Sequence, residues 1–269
     1  MININFLPYS VTYWNKKKIT LYSQNLIKEE PLSIIVQGKP YAVVMRTPGD
    51  EIAHAAGFCL SEGIIENKSD ISVLSFCGEE TNAVTITLSE DRRLKIKHIL
   101  DRQTYLSQTS CGICGKEIIN DICQILSPFL INNKIIIEVA LNCIEKLSDF
   151  QVLRKKTRAS HAAAIFNNNG ELLSIAEDVG RHNALDKVIG KLFLEQKIDS
   201  SSFIVLSSRI SYELVQKAAR AKIPFIIAVS RPTELAVKLA CELNMTIACL
   251  SKDGGLYIFS GKDRLQITC

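Results

Sequence analysis

The segment Phe203-Ile204-Val205-Leu206, then Ser211 to Ala221, then Phe225-Ile226-Ile227-Ala228-Val229 decides the fold. Two short, wholly apolar runs flank a stretch with helical periodicity. Runs of four or five residues without polar alternation are strands covered on both faces. The same rhythm continues outward in both directions. A helix is predicted over about Arg181 to Gln196, with Ala184, Leu185, Val188, Ile189, Leu192 and Phe193 on one side. Pro232-Thr233 starts another helix that runs to Leu243, followed by strands over Met245 to Leu250 and Leu256 to Phe259. Upstream, Ala162 to Phe166 and Glu171 to Ala176 flank Asn167-Asn168-Asn169-Gly170, a hairpin signal. Residues 151–269 therefore read as a three-layer α/β/α domain.

Residues 1–150 have a different texture and read as a strand-rich α+β domain. Ser33-Ile34-Ile35-Val36 and Tyr41-Ala42-Val43-Val44-Met45 flank Gly38-Lys39-Pro40, a second hairpin. Thr47-Pro48-Gly49-Asp50 opens a helix to about Ser61, with Gly63 at its end. Strands are expected over Ile71 to Phe76 and Ala83 to Leu88. Asp101 to Thr109 reads as a polar, aperiodic loop, and Lys116 to Leu126 as a helix. The stretch 127–150, with a helical pattern from Ile135 to Leu147, is the candidate linker.

Bulk composition narrows the function classes. The chain has 269 residues, 47% hydrophobic and 22% charged, with net charge +4. That balance is ordinary for a globular protein and too mild to imply nucleic acid. No apolar run approaches the roughly 18 residues of a membrane span, and no secretory leader is evident, which points to the cytoplasm. The nine cysteines form an odd set without an export signal, so a disulfide framework is not expected.

Two constellations carry chemistry. The first is Ser110-Cys111-Gly112-Ile113-Cys114-Gly115-Lys116. Two glycine-flanked thiols stand just before a predicted helix N-terminus and a lysine, a setting that favours thiolate. Three uses compete: a zinc ligand pair, a dithiol–disulfide couple, or a persulfide carrier. Zinc lacks a second pair of similar spacing, and a redox pair normally follows a first core strand rather than a long polar loop. No structural zinc is expected. The second constellation is three polar turns at predicted strand ends: Asp178-Val179-Gly180-Arg181-His182-Asn183, Ser207-Ser208-Arg209 and Ser230-Arg231-Pro232-Thr233. Each carries an arginine, and together they suggest a rim for an anionic ligand. One such turn alone would more simply be helix capping. The basic run Arg154-Lys155-Lys156-Thr157-Arg158 leads towards His161, near the same rim. His54 and His98 are read as structural. A zinc deaminase motif, a P-loop, GxGxxG and GxSxG are absent from the sequence.

The chain resembles the FdhD family of accessory sulfurtransferases from about Glu30 onward. The resemblance rests on Met45-Arg46-Thr47-Pro48-Gly49-Asp50, Gly57-Phe58-Cys59-Leu60-Ser61-Glu62-Gly63, the Cys111–Cys114 loop, His161-Ala162-Ala163, Glu177-Asp178-Val179-Gly180-Arg181-His182-Asn183-Ala184-Leu185-Asp186-Lys187 and Ser211-Tyr212-Glu213-Leu214-Val215-Gln216-Lys217-Ala218. It implies a cytidine-deaminase-like C-terminal fold without the zinc site, and a homodimer. It also implies sulfur taken from a cysteine desulfurase and passed to molybdenum in bis(molybdopterin guanine dinucleotide), before insertion into formate dehydrogenase. The persulfide cysteine maps onto Cys111, with Cys114 as its partner. The family's cofactor segment maps onto Phe259, Ser260, Gly261, Lys262, Asp263 and Arg264, with His161, Arg181, His182, Asn183, Ser207 and Arg209 as further candidate contacts. Alternatives are a dithiol oxidoreductase and a cofactor chaperone that performs no chemistry. The chain departs from the family pattern at Arg158-Ala159-Ser160, at Ser208 and at Phe259-Ser260-Gly261.

Overall fold

The computed structural model describes residues 5–97, 126–130 and 134–266. Cys111, Cys114, the loop expected over 101–109, the helix expected from Lys116 and His98 lie outside them.

The second half is built on a sheet of strands β8 (His161–Phe166), β9 (Leu172–Asp178), β10 (Phe203–Leu206), β11 (Phe225–Ala228), β12 (Thr246–Leu250) and β13 (Leu256–Ser260). Their spatial order is β13-β12-β11-β10-β8-β9. The central β10, β11 and β12 are mutually parallel, whereas β8 runs antiparallel to β10 and β13 antiparallel to β12. Alternate residues of the strands enter two separate cores. Ile204, Leu206, Ile226, Ala228 and Ile247 enter one, and Phe203, Val205, Phe225, Ile227 and Ala248 the other. That is why these strands read as unbroken apolar runs.

The fold is mixed α/β, as the sequence pattern predicts. Helices α5 (Arg181–Leu194), α6 (Tyr212–Arg220) and α7 (Glu234–Glu242) cover the first face. The second face is covered by α3 (Ile137–Glu145), preceded by strand β7 (Ile135–Ile136), which pairs with β14 (Leu265–Gln266). Ile135, Ala140, Cys143, Ile144 and Leu147 are buried in that second core. The stretch expected to link the halves thus packs beneath the sheet. A short helix, α4 (Val152–Thr157), leads on to β8.

In the first half, β3 (Glu30–Val36), β4 (Lys39–Arg46), β5 (Ile71–Cys77) and β6 (Glu80–Leu88) pair in the order β4-β3-β6-β5. The hairpin read from Gly38 is β3–β4. Helix α1 (Glu51–Ser61) lies between this sheet and α5, while the short α2 (Glu90–Lys95) follows β6. The buried guanidinium of Arg92 in α2 donates to the carbonyls of Gly63 and Ile64 just after α1. One continuous core includes Leu32, Ile34, Val84, Phe58 and Cys59 from the first half and Leu185, Val188, Ile204 and Leu214 from the second. At the α1–α5 crossing, Gly57 and Gly190 face each other. A Cβ on Gly57 would overlap the Asp186 carbonyl and lie 2.9 Å from Gly190 N; one on Gly190 would overlap the Ala53 carbonyl and lie 2.8 Å from Gly57 N.

A hairpin that the sequence reading leaves unassigned precedes this body. Strands β1 (Phe6–Trp14) and β2 (Ile19–Ile27) pair from Phe6↔Ile27 to Trp14↔Ile19. Leu7, Tyr9, Tyr13, Trp14, Ile19, Leu21, Tyr22 and Leu26 are exposed along it. At its base the Lys156 ammonium lies 4.9 Å over the Phe6 ring.

Candidate anion-binding site

The sheet topology brings several polar turns to one edge. His161 opens β8, Asp178 closes β9, and Ser207-Ser208-Arg209 and Val229-Ser230-Arg231 follow β10 and β11. Because β8 is antiparallel to its neighbour, its first residue lies beside the ends of β9 and β10. Helices α5, α6 and α7 all begin at this edge, so their positive dipole ends converge there. Gly180 and Ser211, the residues before α5 and α6, form no side-chain cap, whereas Thr233 accepts from Ala236 N before α7. The capping explanation of the turns therefore holds for Thr233 and leaves the other two helix starts open.

The segment from Glu177 to Lys187 divides into two kinds of residue. Asp178 is fully buried. Its carboxylate pairs with Lys187 Nζ at 2.7 Å and accepts from Thr47 N, Gly180 N and Asn183 Nδ2. Lys187 also donates to the Thr47 carbonyl, and Asn183 to the Met45 carbonyl. Asp186 accepts from Ser61 and from Lys217 at 2.8–2.9 Å. These side chains bind the two halves of the chain together. The Asn183 amide, expected among the ligand contacts, has its donor group engaged by Met45 and Asp178. Glu177 accepts from Leu153 N, Arg154 N and Ser160 Oγ, holding the start of α4 against β9.

This arrangement predicts that Lys187→Met, which leaves the Asp178 carboxylate buried without its counter-ion, costs about 3–5 kcal/mol of stability. Urea unfolding measures it. The double variant Asp178→Asn with Lys187→Met should lose less than the two single losses combined, because the two side chains are coupled.

Arg181 and His182 are the residues of the segment left facing the rim. His182 Nε2 lies 2.8 Å from Glu213 Oε2 and 3.2 Å from Ser211 Oγ. Both contacts fall on one ring nitrogen, so the trio is not arranged as a serine–histidine–acid relay, which needs the two nitrogens. The hydrogen bond from His182 holds the Glu213 carboxyl below its usual range. Burial, then the charges of Arg181, Arg154 and His182, push the His161 imidazole down, so it is neutral near pH 7. Burial and the nearby Arg209 lower Arg181, and its Nε is enclosed without a partner among the described residues. Arg209 is exposed. Ser207 extends the β8–β10 pairing, its Oγ accepting from Ala162 N at 2.8 Å. The rim thus gathers mutually repelling cations around Glu213, a field that an anion would relieve.

Sequence reasoning assigns no role to Glu213, although its place in the first turn of a helix that starts at the rim is a usable signal. His54, read as structural, is fully buried on α1 with its pKa pushed well down by burial, then by Lys187, Lys217 and Arg46.

The remaining candidates lie elsewhere. Since β13 runs antiparallel to β12, Ser260 pairs with Ile247 at the opposite, amino-terminal edge of the parallel strands. Four residues of strand, at about 3.3 Å each, separate the two edges. Ser260 Oγ donates to the Met245 carbonyl, and Thr246 Oγ1 donates to the Gly261 carbonyl. Gly261 has φ of 66°, and a Cβ there would lie 2.6 Å from the Met245 carbonyl oxygen, so the turn needs glycine. The buried Arg264 guanidinium donates to the Asn244 and Leu130 carbonyls. Phe259, Lys262 and Asp263 stay exposed. The structure therefore gathers His161, Arg181, His182, Ser207 and Arg209 at one edge and Phe259 to Arg264 at the other.

Comparison with known proteins adds the following. The model of the FdhD/NarQ family matches residues 27–266. Sulfur carrier protein FdhD of Streptomyces coelicolor is 36% identical over 254 residues, covering 90% of this chain and 89% of that protein. The protein of the same name from Mycobacterium tuberculosis is 32% identical, covering 95% and 96%. The crystal structure of a formate dehydrogenase accessory protein from Desulfotalea psychrophila superposes with a TM-score of 0.78 at 21% identity, covering 98% of this chain and all of that one, so the fold is shared.

Proposed function

The chain belongs to the FdhD/NarQ family, and from that premise we propose that it is a sulfur carrier that serves formate dehydrogenase maturation. The observation that carries this reading is the similarity, over most of the chain, to proteins named sulfur carrier protein FdhD. The Cys111-Gly112-Ile113-Cys114 sequence supplies the thiols such a carrier requires.

The proposed step is a sulfurtransferase reaction. The Cys111 thiolate attacks the outer sulfur of a cysteine desulfurase persulfide. The donor's S–S bond breaks, its cysteine leaves as thiolate, and Cys111 becomes the persulfide. Cys114 holds or helps release that sulfur. The acceptor is molybdenum in bis(molybdopterin guanine dinucleotide), a substrate of this protein rather than a resident group. Its phosphates meet Arg181, Arg209 and the open starts of α5 and α6, with His161, His182 and Ser207 beside them. A homodimer acting in the cytoplasm is part of the same proposal. No described helix is long and apolar enough to cross a membrane.

Loading tests the reading. The protein is incubated with a cysteine desulfurase and cysteine, and the peptide containing residues 110–116 is weighed. A one-sulfur gain, removed by a thiol reductant, is expected; a reversible Cys111–Cys114 disulfide alone would favour the dithiol alternative.

The two edges are separable by binding. Arg181→Ala with Arg209→Ala should weaken GDP by about 1.5–3 kcal/mol per lost charged hydrogen bond, and the remaining affinity should depend less on salt. Phe259→Ala with Lys262→Ala, at the other edge, should leave it within about twofold if the carboxyl edge alone holds the phosphates. Isothermal calorimetry at two ionic strengths reads both.

A further inference from the structure

The hairpin β1–β2 takes no part in the site above. Its strands pair only with each other, and a two-stranded sheet is marginal in water unless something covers it. The cross-strand pairs Leu7↔Leu26, Val11↔Tyr22 and Tyr13↔Thr20 share one face, where the Tyr13 and Tyr22 rings meet edge to face at 5.5 Å. Phe6↔Ile27, Thr12↔Leu21 and Trp14↔Ile19 share the other. The base of that second face rests near α4, under the Lys156 ammonium. Its tip projects into solvent: Trp14, Ile19 and Leu21 are 67%, 70% and 76% exposed. The tip is therefore apolar on both faces.

The charge of this region is one-sided. Residues 1–28 contain Lys16, Lys17, Lys18 and Lys28 and no Asp or Glu, a charge equal to the net +4 of the whole chain. Asn15 Oδ1 closes the apex by accepting from the backbone N–H groups of Lys17 and Lys18, and the lysine side chains stay exposed. At the other end α4 packs against β2 and carries the basic run that the proposed function leaves without a role. Arg154, Lys155, Lys156 and Arg158 are all exposed, and residues 150–160 contain no acid. Glu177, which touches α4, is bonded to its first backbone N–H groups.

We propose that β1–β2 and α4 form a peripheral docking surface for an anionic lipid bilayer. Three arguments select that occupant. The first is composition. Tryptophan, tyrosine and lysine beside exposed aliphatic side chains are the residues that settle at a membrane–water interface, the rings at headgroup depth and the ammonium groups on phosphate. The second is layout. Nine residues of strand make an apolar strip about 30 Å long, with lysines at its apex and the basic helix at its base. A strip lying in the plane of a bilayer meets phosphate at both ends. The third is shape. A folded partner covers one face of a hairpin, whereas lipid closes around a tip that is apolar on both. A second copy of the chain would bring the same cations, and like charge opposes contact between two such hairpins.

Trp14 is the single tryptophan of the chain, so its fluorescence reports on the tip directly. The full-length protein is sedimented with vesicles of phosphatidylcholine alone or mixed with phosphatidylglycerol. Co-sedimentation with the mixed vesicles only, weakened by salt and accompanied by a shift of Trp14 emission to shorter wavelength, is expected. Replacing Lys16, Lys17 and Lys18 together by Gln should weaken binding about a hundredfold. Ile19→Ser with Leu21→Ser should weaken it roughly tenfold. Both sets of side chains lie outside the buried cores, so urea unfolding should match wild type. Equal binding to phosphatidylcholine alone, or binding unmoved by the lysine substitutions, overturns the proposal. So does sedimentation that leaves Trp14 emission unchanged, because another surface then meets the lipid. Trp14 emission that is already shifted without vesicles, and reverts on dilution, assigns the hairpin to a second copy instead. Failure with both vesicles while poly-glutamate shifts the emission assigns it to an acidic protein, and failure with all three probes leaves the surface without an anionic partner.

Discussion

Gly190→Ala should lower the stability of the protein by about 3 kcal/mol, at the upper end of the usual cost of overpacking. The new methyl would overlap the Ala53 carbonyl and stand 2.8 Å from Gly57 N, both backbone atoms of α1. Backbone cannot rotate aside as a side chain does, so relief requires α1 and α5 to separate. That separation would open the core shared by Phe58, Cys59, Leu185, Val188 and Ile189. The substitution regains up to about 1 kcal/mol of helix propensity, which the overlap outweighs. Gly57→Ala should behave alike, because its methyl meets Asp186 on α5. Urea unfolding checks both, and the midpoint temperature should fall by roughly 6–12 °C for a chain of this size. Gly38→Ala is the internal comparison. Its φ is 73° and no atom lies near the added methyl, so the cost is the left-handed penalty alone, about 1–2 kcal/mol. A Gly190 variant no less stable than the Gly38 variant would show that the helices part without loss.

The sheet was legible because burial on both faces leaves nothing polar in β10 and β11, and the turn after each carries serine and arginine. Its edge assignments were not. Whether Phe259 to Arg264 joins Arg181 depends on β13 running antiparallel to β12; the intervening Ser251-Lys252-Asp253-Gly254-Gly255 is a hairpin signal that the sequence reading leaves unused. Within the Glu177–Lys187 segment, residue type alone could not separate Arg181, which faces the rim, from Asn183, which is held between Asp178 and Met45. Both are polar residues at a helix start, and only the approach of Met45 and Thr47 from the other half divides them. The hairpin β1–β2 was missed although Leu7, Tyr9, Val11 and Tyr13 alternate with other residues before Asn15. Alternation is the strand signal, but here it accompanies two exposed faces rather than one buried and one open.

Cys111→Ala should reduce sulfur loading from a cysteine desulfurase to background. The other thiols of the described residues determine what that background is. Cys59, Cys143 and Cys249 are buried, and burial pushes all three thiols up, so they remain protonated and poor nucleophiles near pH 7. Cys77 and Cys241 are exposed. They are the described thiols able to meet a donor persulfide, and neither belongs to a Cys-x-x-Cys pair as Cys111 does. Cys77→Ser with Cys241→Ser should therefore leave loading at pH 7 close to wild type. Mass spectrometry of the peptides after desulfurase treatment separates the cases. Cys114→Ala should still accept sulfur on Cys111 if the two cysteines divide uptake and release between them. An adduct that persists at Cys77 or Cys241 in Cys111→Ala at pH 7, in amounts equal to wild type, would move the carrier function away from the Cys111–Cys114 sequence. An adduct confined to residues 110–116 and lost with Cys111 would fix the uptake step on that thiol, whichever edge of the sheet holds the acceptor.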